Sequence, residues 1–389
     1  MIHTTLRIFQ IAAIFGCAAS SIYYLICLWS AAAFLRRRGA GESARSSSTP
    51  PVSILKPLKG TDPDIYESFR SHCLQDYPEY EIIFGVSDPD DPAVASVRQL
   101  QQEFPHHSIR LVVSPDVLGA NVKVSNLEHM VQTARYAHLI VNDSDIRVEP
   151  NYLQRVMAPF ADQKVGMVTC LYRGVAANTL GSLLESLGIS TDFCAGVLVA
   201  RQLEGGLHFG LGSTLAFRRI DLDRIGGFKS IVDFLADDYE LGRRIASLGL
   251  QVCLSDVVVE THLPAYTLRE FMAHQLRWAR GVRDSRAGGY IGLVLTFGLM
   301  WSVLNLIAAQ AAPWAWSVFG AVVVLRFAVA LLVGKSVLQD AHLWKHLWLL
   351  PVRDLVGAGV WVASFAGHGV TWRGDHFELK DGRLIRSGP

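Results

Sequence analysis

Net charge is the first thing missing from this chain: 36 Lys and Arg against 35 Asp and Glu leave a formal +1 at pH 7. Nucleic acid is gripped through clustered basic charge, so no global electrostatic argument for a nucleic-acid partner is available. Paired cysteines are missing as well. Cys17, Cys27, Cys73, Cys170, Cys194 and Cys253 are scattered, with no C-x-x-C and no metal spacing, which reads as reduced structural thiols rather than a disulfide framework or zinc site. Such thiols suit a large domain facing a reducing cytosol. No internal repeat is evident, and low complexity is confined to "RRRGAGESARSSSTPP".

What remains is apolar and unevenly spread. Half of the residues are hydrophobic and 18% are charged, with a mean hydropathy of +0.27. The apolar residues concentrate at the two ends, and the middle reads as a water-compatible domain of ordinary α/β size. Ile8 to Leu35 is apolar almost throughout and is followed at once by Arg36, Arg37 and Arg38. That length crosses a hydrocarbon core, which takes about 20 helical residues. A cleaved signal peptide carries its basic cluster before the apolar stretch, so residues 1–35 read as an uncleaved anchor. Its N-terminus is expected outside and Arg36 inside.

The Gly- and Ser-rich residues 36–51 read as a linker. The C-terminal apolar block, 289–372, divides into pieces near Ile291 to Ala311, Trp314 to Val333 and Leu347 to His368. Two crossings would return the basic tail, 373–389, to the cytosol, whereas three would leave it outside. Arg353 and Asp354 are expensive at mid-bilayer, so "HLWKHLWLLPVRDL" is expected to be re-entrant or interfacial, giving two to three C-terminal membrane segments.

Within residues 52–266, strand-like runs ("PVSILKPL", "YEIIFGVSD", "SIRLVVS", "HLIVND") alternate with helical patterns. This predicts an α/β domain with a mostly parallel sheet and ligands beyond the carboxyl ends of its strands, where Asp88 and Asp143 to Asp145 fall. In an extended chain Asp143 and Asp145 share a face. Two like charges there suit a hard divalent cation, Mg²⁺ or Mn²⁺, holding a diphosphate, although a polar Asx turn explains the same residues. "GVSDPDDP" is a second acidic strand end, with a Pro-rich turn as its plain reading. Asp237 and Asp238 open a helix: capping accounts for one, and a general base would account for the other. Residues 267–288 form an amphipathic helix whose arginines suit anionic headgroups. Its Arg277 and Trp278 also suit a diphosphate partner and an apolar wall for an acceptor.

Taken in order, "VSILKPLKGTDPDIYESFRSHCLQDYPEYEIIFGVSDPDDPA", "GANVKVSNL", "NDSDIRV", "LADDYEL" and "HQLRW" resemble the ceramide glucosyltransferase family, which includes bacterial hopanoid-pathway glycosyltransferases. The resemblance implies a GT-A, Rossmann-like nucleotide-sugar domain and inverting transfer from a UDP-sugar to a membrane lipid alcohol. It implies Lys56 and Asp88 near the nucleotide, Asp145 on the metal with Asp143 beside it, and Asp238 as the base. Arg277 and Trp278 end its (Q/R)xxRW motif, whose first position is His274 here. Lys123 and Asn126 match a segment expected to contact the donor, and His208 and His262 are left outside the site. The expected setting is a multi-pass protein of a bacterial inner membrane with its catalytic domain in the cytoplasm. Rival readings are a processive polysaccharide synthase, a polyprenyl-phosphate sugar transferase and a membrane-anchored sugar-nucleotide sensor.

Overall fold

Every position of β1 (Val52–Pro57) is buried, the pattern of a strand covered on both faces. In the computed structural model, which describes residues 2–41, 48–372 and 375–386, β1 pairs in parallel with β2 (Tyr80–Val86) and with β4 (His138–Val141). β3 (Ile109–Val113) extends the sheet beyond β2. Helices Ile65–Cys73, Ala93–Glu103 and Val122–Thr133 make the crossovers. The chain thus winds outward from β1 to β3, then returns across β1 to begin β4. That reversal opens a crevice at the carboxyl ends of β1 and β4.

Beyond β4 the sheet is mixed rather than mostly parallel as expected. β5 (Ile146–Arg147), β6 (Val165–Val175), β7 (Leu215–Arg218) and β8 (Gln251–His262) complete the order β3-β2-β1-β4-β7-β6-β8-β5. β7 runs antiparallel to both β4 and β6, while β6 and β8 are parallel. An antiparallel neighbour needs no crossover, so residues 176–214 leave β6 and re-enter at β7 on the same side of the sheet. That side is the crevice side, and the C-terminal end of β8, Thr261 and His262, arrives there too.

The apolar helices surround this side. Arg7–Arg38, Pro313–Val337 and Leu343–Ser364 are long and apolar enough to cross a membrane, and Ala287–Thr296 joins Gly298–Ala308 at a 52° bend. Leu180–Leu203 meets the same test, although its stretch of sequence reads as part of the water-compatible domain. Of the linker, residues 42–47 lie outside the described residues, as do 373, 374 and 387–389 of the tail; the N-terminal helix itself continues to Gly41. The rest of the tail folds. β9 (Gly369–Trp372), β10 (Asp375–Lys380) and β11 (Arg383–Arg386) form an antiparallel sheet. It docks on the domain of the eight-stranded sheet where Leu235 N donates to Gly382 O at 3.1 Å and Leu384 N donates to Asp233 O at 2.7 Å.

Candidate active site

Lys56, near the end of β1, is fully buried beneath the crevice and donates from Nζ to the Asp143 carbonyl at 2.9 Å. Burial pulls its ammonium down to about 7, against the opposing pull of Asp145, Asp143 and Asp62. It supports the D-x-D segment from below instead of lining the cavity. Asn142, also buried, donates to Ser213 O at 2.7 Å and to Tyr152 Oη at 2.9 Å, fixing the segment from the side. Ile146 N donates to Asp143 O at 3.3 Å, so the segment turns at Ser144 and Asp145 rather than running on as an extended strand end. The shared face expected for Asp143 and Asp145 is therefore produced by a reversal of the chain, and both carboxylates line one cavity.

Their surroundings differ. Asp143 Oδ1 takes Lys123 Nζ at 2.7 Å, and the same ammonium reaches Asp237 Oδ2 at 3.1 Å. Burial works against the Lys123 charge, but the two carboxylates hold it protonated well above its usual range. Asp145 accepts a hydrogen bond from the Thr261 hydroxyl. Burial first, then Asp143, pushes its carboxyl up to about 6. Ser144 bonds to Asp62, which adds a further carboxylate to the cavity wall. Among the described residues no trio of His, Cys, Asp and Glu forms a metal cage by itself. A hard cation that keeps its waters and shares a diphosphate needs only one or two carboxylates. Asp145, a destabilised anion beside two more, fits such an ion.

Asp237 and Asp238 open the helix Asp237–Ser247. Asp237 is neutralised by Lys123, whereas Asp238 receives Gly212 N and Tyr239 N, each at 2.8 Å. Burial and then Asp237 push the Asp238 carboxyl up to about 6, partly offset by Lys123. Gly212 threads between the acids: a Cβ there would lie 3.1 Å from Asp143 Oδ2 and 3.3 Å from Asp238 Oδ2.

The helix Leu268–Ser285 begins at a Thr267/Glu270 capping box and carries His274, Arg277 and Trp278 into the cavity. The His274 ring stacks on Tyr266 at 5.4 Å and stands 5.5 Å from Trp278, which meets Phe193 edge-on at 5.9 Å. Asn126 lines the cavity and accepts from Ser87 Oγ at 2.8 Å. Asp88 itself does not join the cluster. It is exposed at the end of β2, where Oδ1 accepts Asp90 N at 2.9 Å in an Asx turn. His208 is exposed; His262 lines the cavity with Nδ1 3.1 Å from Asp64. Asp62, Thr261 and Gly212 escaped the sequence reading. They come from separate segments and carry no local motif.

The cavity encloses about 1120 Å³ and runs on from these acids to Tyr24, Phe297, Val360 and Trp361 among the apolar helices. The profile of glycosyl transferase family 21 covers residues 12–385. Ceramide glucosyltransferase 1 of Caenorhabditis elegans is 22% identical over 97% of this chain and 82% of its own length. Ceramide glucosyltransferase 3 of the same organism is 26% identical over 60% of this chain and 51% of its own. A mannosyltransferase from Pyrobaculum calidifontis, solved with GDP-mannose and Mn²⁺, superposes with a TM-score of 0.57 at 20% identity, covering 92% of this chain and 99% of that one. Its likeness establishes a GT-A-type mixed α/β fold. With the profile spanning nearly the whole chain, the resemblance drawn from the motifs is borne out: this chain belongs to glycosyl transferase family 21 and is a glycosyltransferase.

Proposed function

We propose that the protein is a membrane-bound, inverting hexosyltransferase that moves glucose or N-acetylglucosamine from a UDP-sugar to the hydroxyl of a membrane lipid such as ceramide or a hopanoid. The observation that carries this reading is the continuity of the cavity, which has carboxylates at one end and an apolar helix bundle at the other. A water-borne donor and a bilayer-borne acceptor need such a passage, and a soluble acceptor does not.

Asp238 is the general base. Burial raises its pKa to about 6, low enough to leave it ionised at neutral pH, and it retains lone pairs beyond the two backbone donors it accepts. The lipid hydroxyl gives its proton to Asp238 as its oxygen attacks the anomeric carbon from the face opposite the diphosphate, inverting that centre. Asp145, with Asp143 beside it, would hold a divalent cation, Mg²⁺ or Mn²⁺, which when bound neutralises charge on the leaving diphosphate. Arg277 adds fixed positive charge at that end, and Trp278 walls the acceptor approach. Lys56 holds the D-x-D turn in place, and Lys123 and Asn126 line the donor side. Asp88, whose side chain is exposed, acts at the rim of the donor site. The catalytic domain faces the cytoplasm of a bacterial inner membrane, where UDP-sugars are made.

The test is UDP release together with lipid-product mass for the detergent-purified protein with Mg²⁺ or Mn²⁺. UDP-glucose and UDP-N-acetylglucosamine are crossed against ceramide and a hopanoid polyol. The expected result is a metal-dependent gain of one sugar on a lipid. Sugar polymer, or no lipid product in any pairing, would overturn the acceptor reading.

A further inference from the structure

The lipid-acceptor reading leaves open what distinguishes one lipid alcohol from another, and the inference here rests on that reading. The helix Leu180–Leu203 is apolar enough for a membrane, yet carries Asp192. An ionisable group on so apolar a helix, packed inside the assembly, is costly unless it is paired. Asp192 Oδ1 accepts from an Arg326 guanidinium nitrogen at 2.5 Å, and Arg353 lies 3.7 Å from Oδ2. Arg326 also holds Asp354 at 2.7 Å.

Two arginines and two aspartates cancel, so charge neutrality alone explains why the quartet is tolerated. It does not explain the asymmetry within it. The side chains of Arg326, Arg353 and Asp354 are 3%, 10% and 11% exposed, whereas Asp192 is 38% exposed, and Asp192 lines the cavity. Residues Ile189–Phe193 form a π-helical turn, a widened turn that recurs at functional positions. The next residue, Phe193, meets Trp278, so Asp192 sits beside the wall assigned to the acceptor.

We propose that Asp192 selects the acceptor. Fixed by Arg326 and Arg353, its carboxylate receives a hydrogen bond from a second donor group, a hydroxyl or an amide N–H, that the lipid carries close to the hydroxyl being glycosylated. An ionised carboxylate only accepts, so the recognised group must donate.

The experiment compares kcat/KM for ceramide with that for a long-chain primary alcohol, using full-length protein in detergent, and records UDP affinity alongside. Wild type should prefer ceramide. Asp192→Asn should lower the ceramide-to-alcohol ratio by about 10- to 100-fold, the worth of a hydrogen bond to a charged group, with UDP affinity retained. Asp192→Glu, which keeps the charge but moves the oxygens, guards against a folding defect and should lower the same ratio. Equal losses for both acceptors, or an unchanged ratio in both variants, would overturn the inference and leave Asp192 a structural residue. If wild type glycosylates neither of these lipids nor the hopanoid polyol, the acceptor reading itself has failed, a result visible before any variant is made, and the inference falls with it.

Discussion

Asp237 and Asp238 are neighbours on one helical turn, but Lys123 contacts only the first. That difference sets the two carboxylates apart and underlies the pH behaviour expected of the proposed base. A general base must be deprotonated, so turnover should fall as pH drops through about 6, the value to which burial pushes Asp238. Asp238→Asn should cost about 10²- to 10⁴-fold in kcat and leave UDP affinity nearly intact; near-normal turnover would remove Asp238 from the role. Lys123 lowers the Asp238 pKa, so Lys123→Met should move the acid limb of the pH–rate profile to higher pH, and an unmoved limb would show the lysine acts elsewhere. Asp145→Ala should weaken metal-dependent UDP binding, read by titration with and without Mn²⁺. The D-x-D and the aspartate pair were legible in the sequence because each is a local motif. Lys123 was legible only through resemblance, since its bridge joins positions 143 and 237 that no short pattern connects.

At the scale of elements, β1 to β4 were readable because parallel buried strands alternate with helices at short spacing. The antiparallel β7 was not, because residues 176–214 separate it from its partner β6. Helix Leu180–Leu203 was hidden for a different reason. Glu185 and Asp192 interrupt its apolar run, and their tolerance depends on Gln275, His274, Arg326 and Arg353 far along the chain. Asp88, a conspicuous acidic strand end, stands exposed in an Asx turn outside the cavity lining. One contact between elements sets the site's geometry. The helix headed by Asp237 and Asp238 lies so close to the Phe209–Gly210 loop that a Cβ on Gly242 would stand 2.2 Å from Gly210 N and 2.5 Å from Phe209 C. Backbone atoms cannot swing aside, so Gly242→Ala should destabilise by about 1–3 kcal/mol. It should also part Asp238 from Gly212 N, lowering kcat at temperatures where the protein remains folded. A variant with unchanged melting temperature and turnover would show that the loop yields freely.

For the whole molecule, chain continuity limits how the helices meet the bilayer. Leu180–Leu203 starts after β6 and ends before β7, and both strands belong to one sheet. A single crossing there would put β7 on the far side of the membrane, so this helix packs within the assembly and does not span. The same reasoning applies to the C-terminal block. The tail sheet bonds to Asp233 and Leu235 of the catalytic domain, and Arg283 of the helix before the block donates to Gly367 O at 3.0 Å after it. Both ends of the block are therefore on one side, and the number of crossings between them is even. Three crossings by its three helical units, counting the bent pair as one, would leave the tail on the opposite side from the domain it bonds to. Single cysteines replacing exposed Gln102 in the catalytic domain and exposed Arg386 in the tail provide the check. The native cysteines are buried except for the half-buried Cys253, so background labelling by a membrane-impermeant maleimide should be low. Both new sites should stay unlabelled in intact cells and react in inverted vesicles, the result required by an even count and a cytoplasmic domain. Labelling of both in intact cells would preserve the even count and reverse the orientation. Labelling of one alone would break the docking of the tail, and with it the argument for an even count.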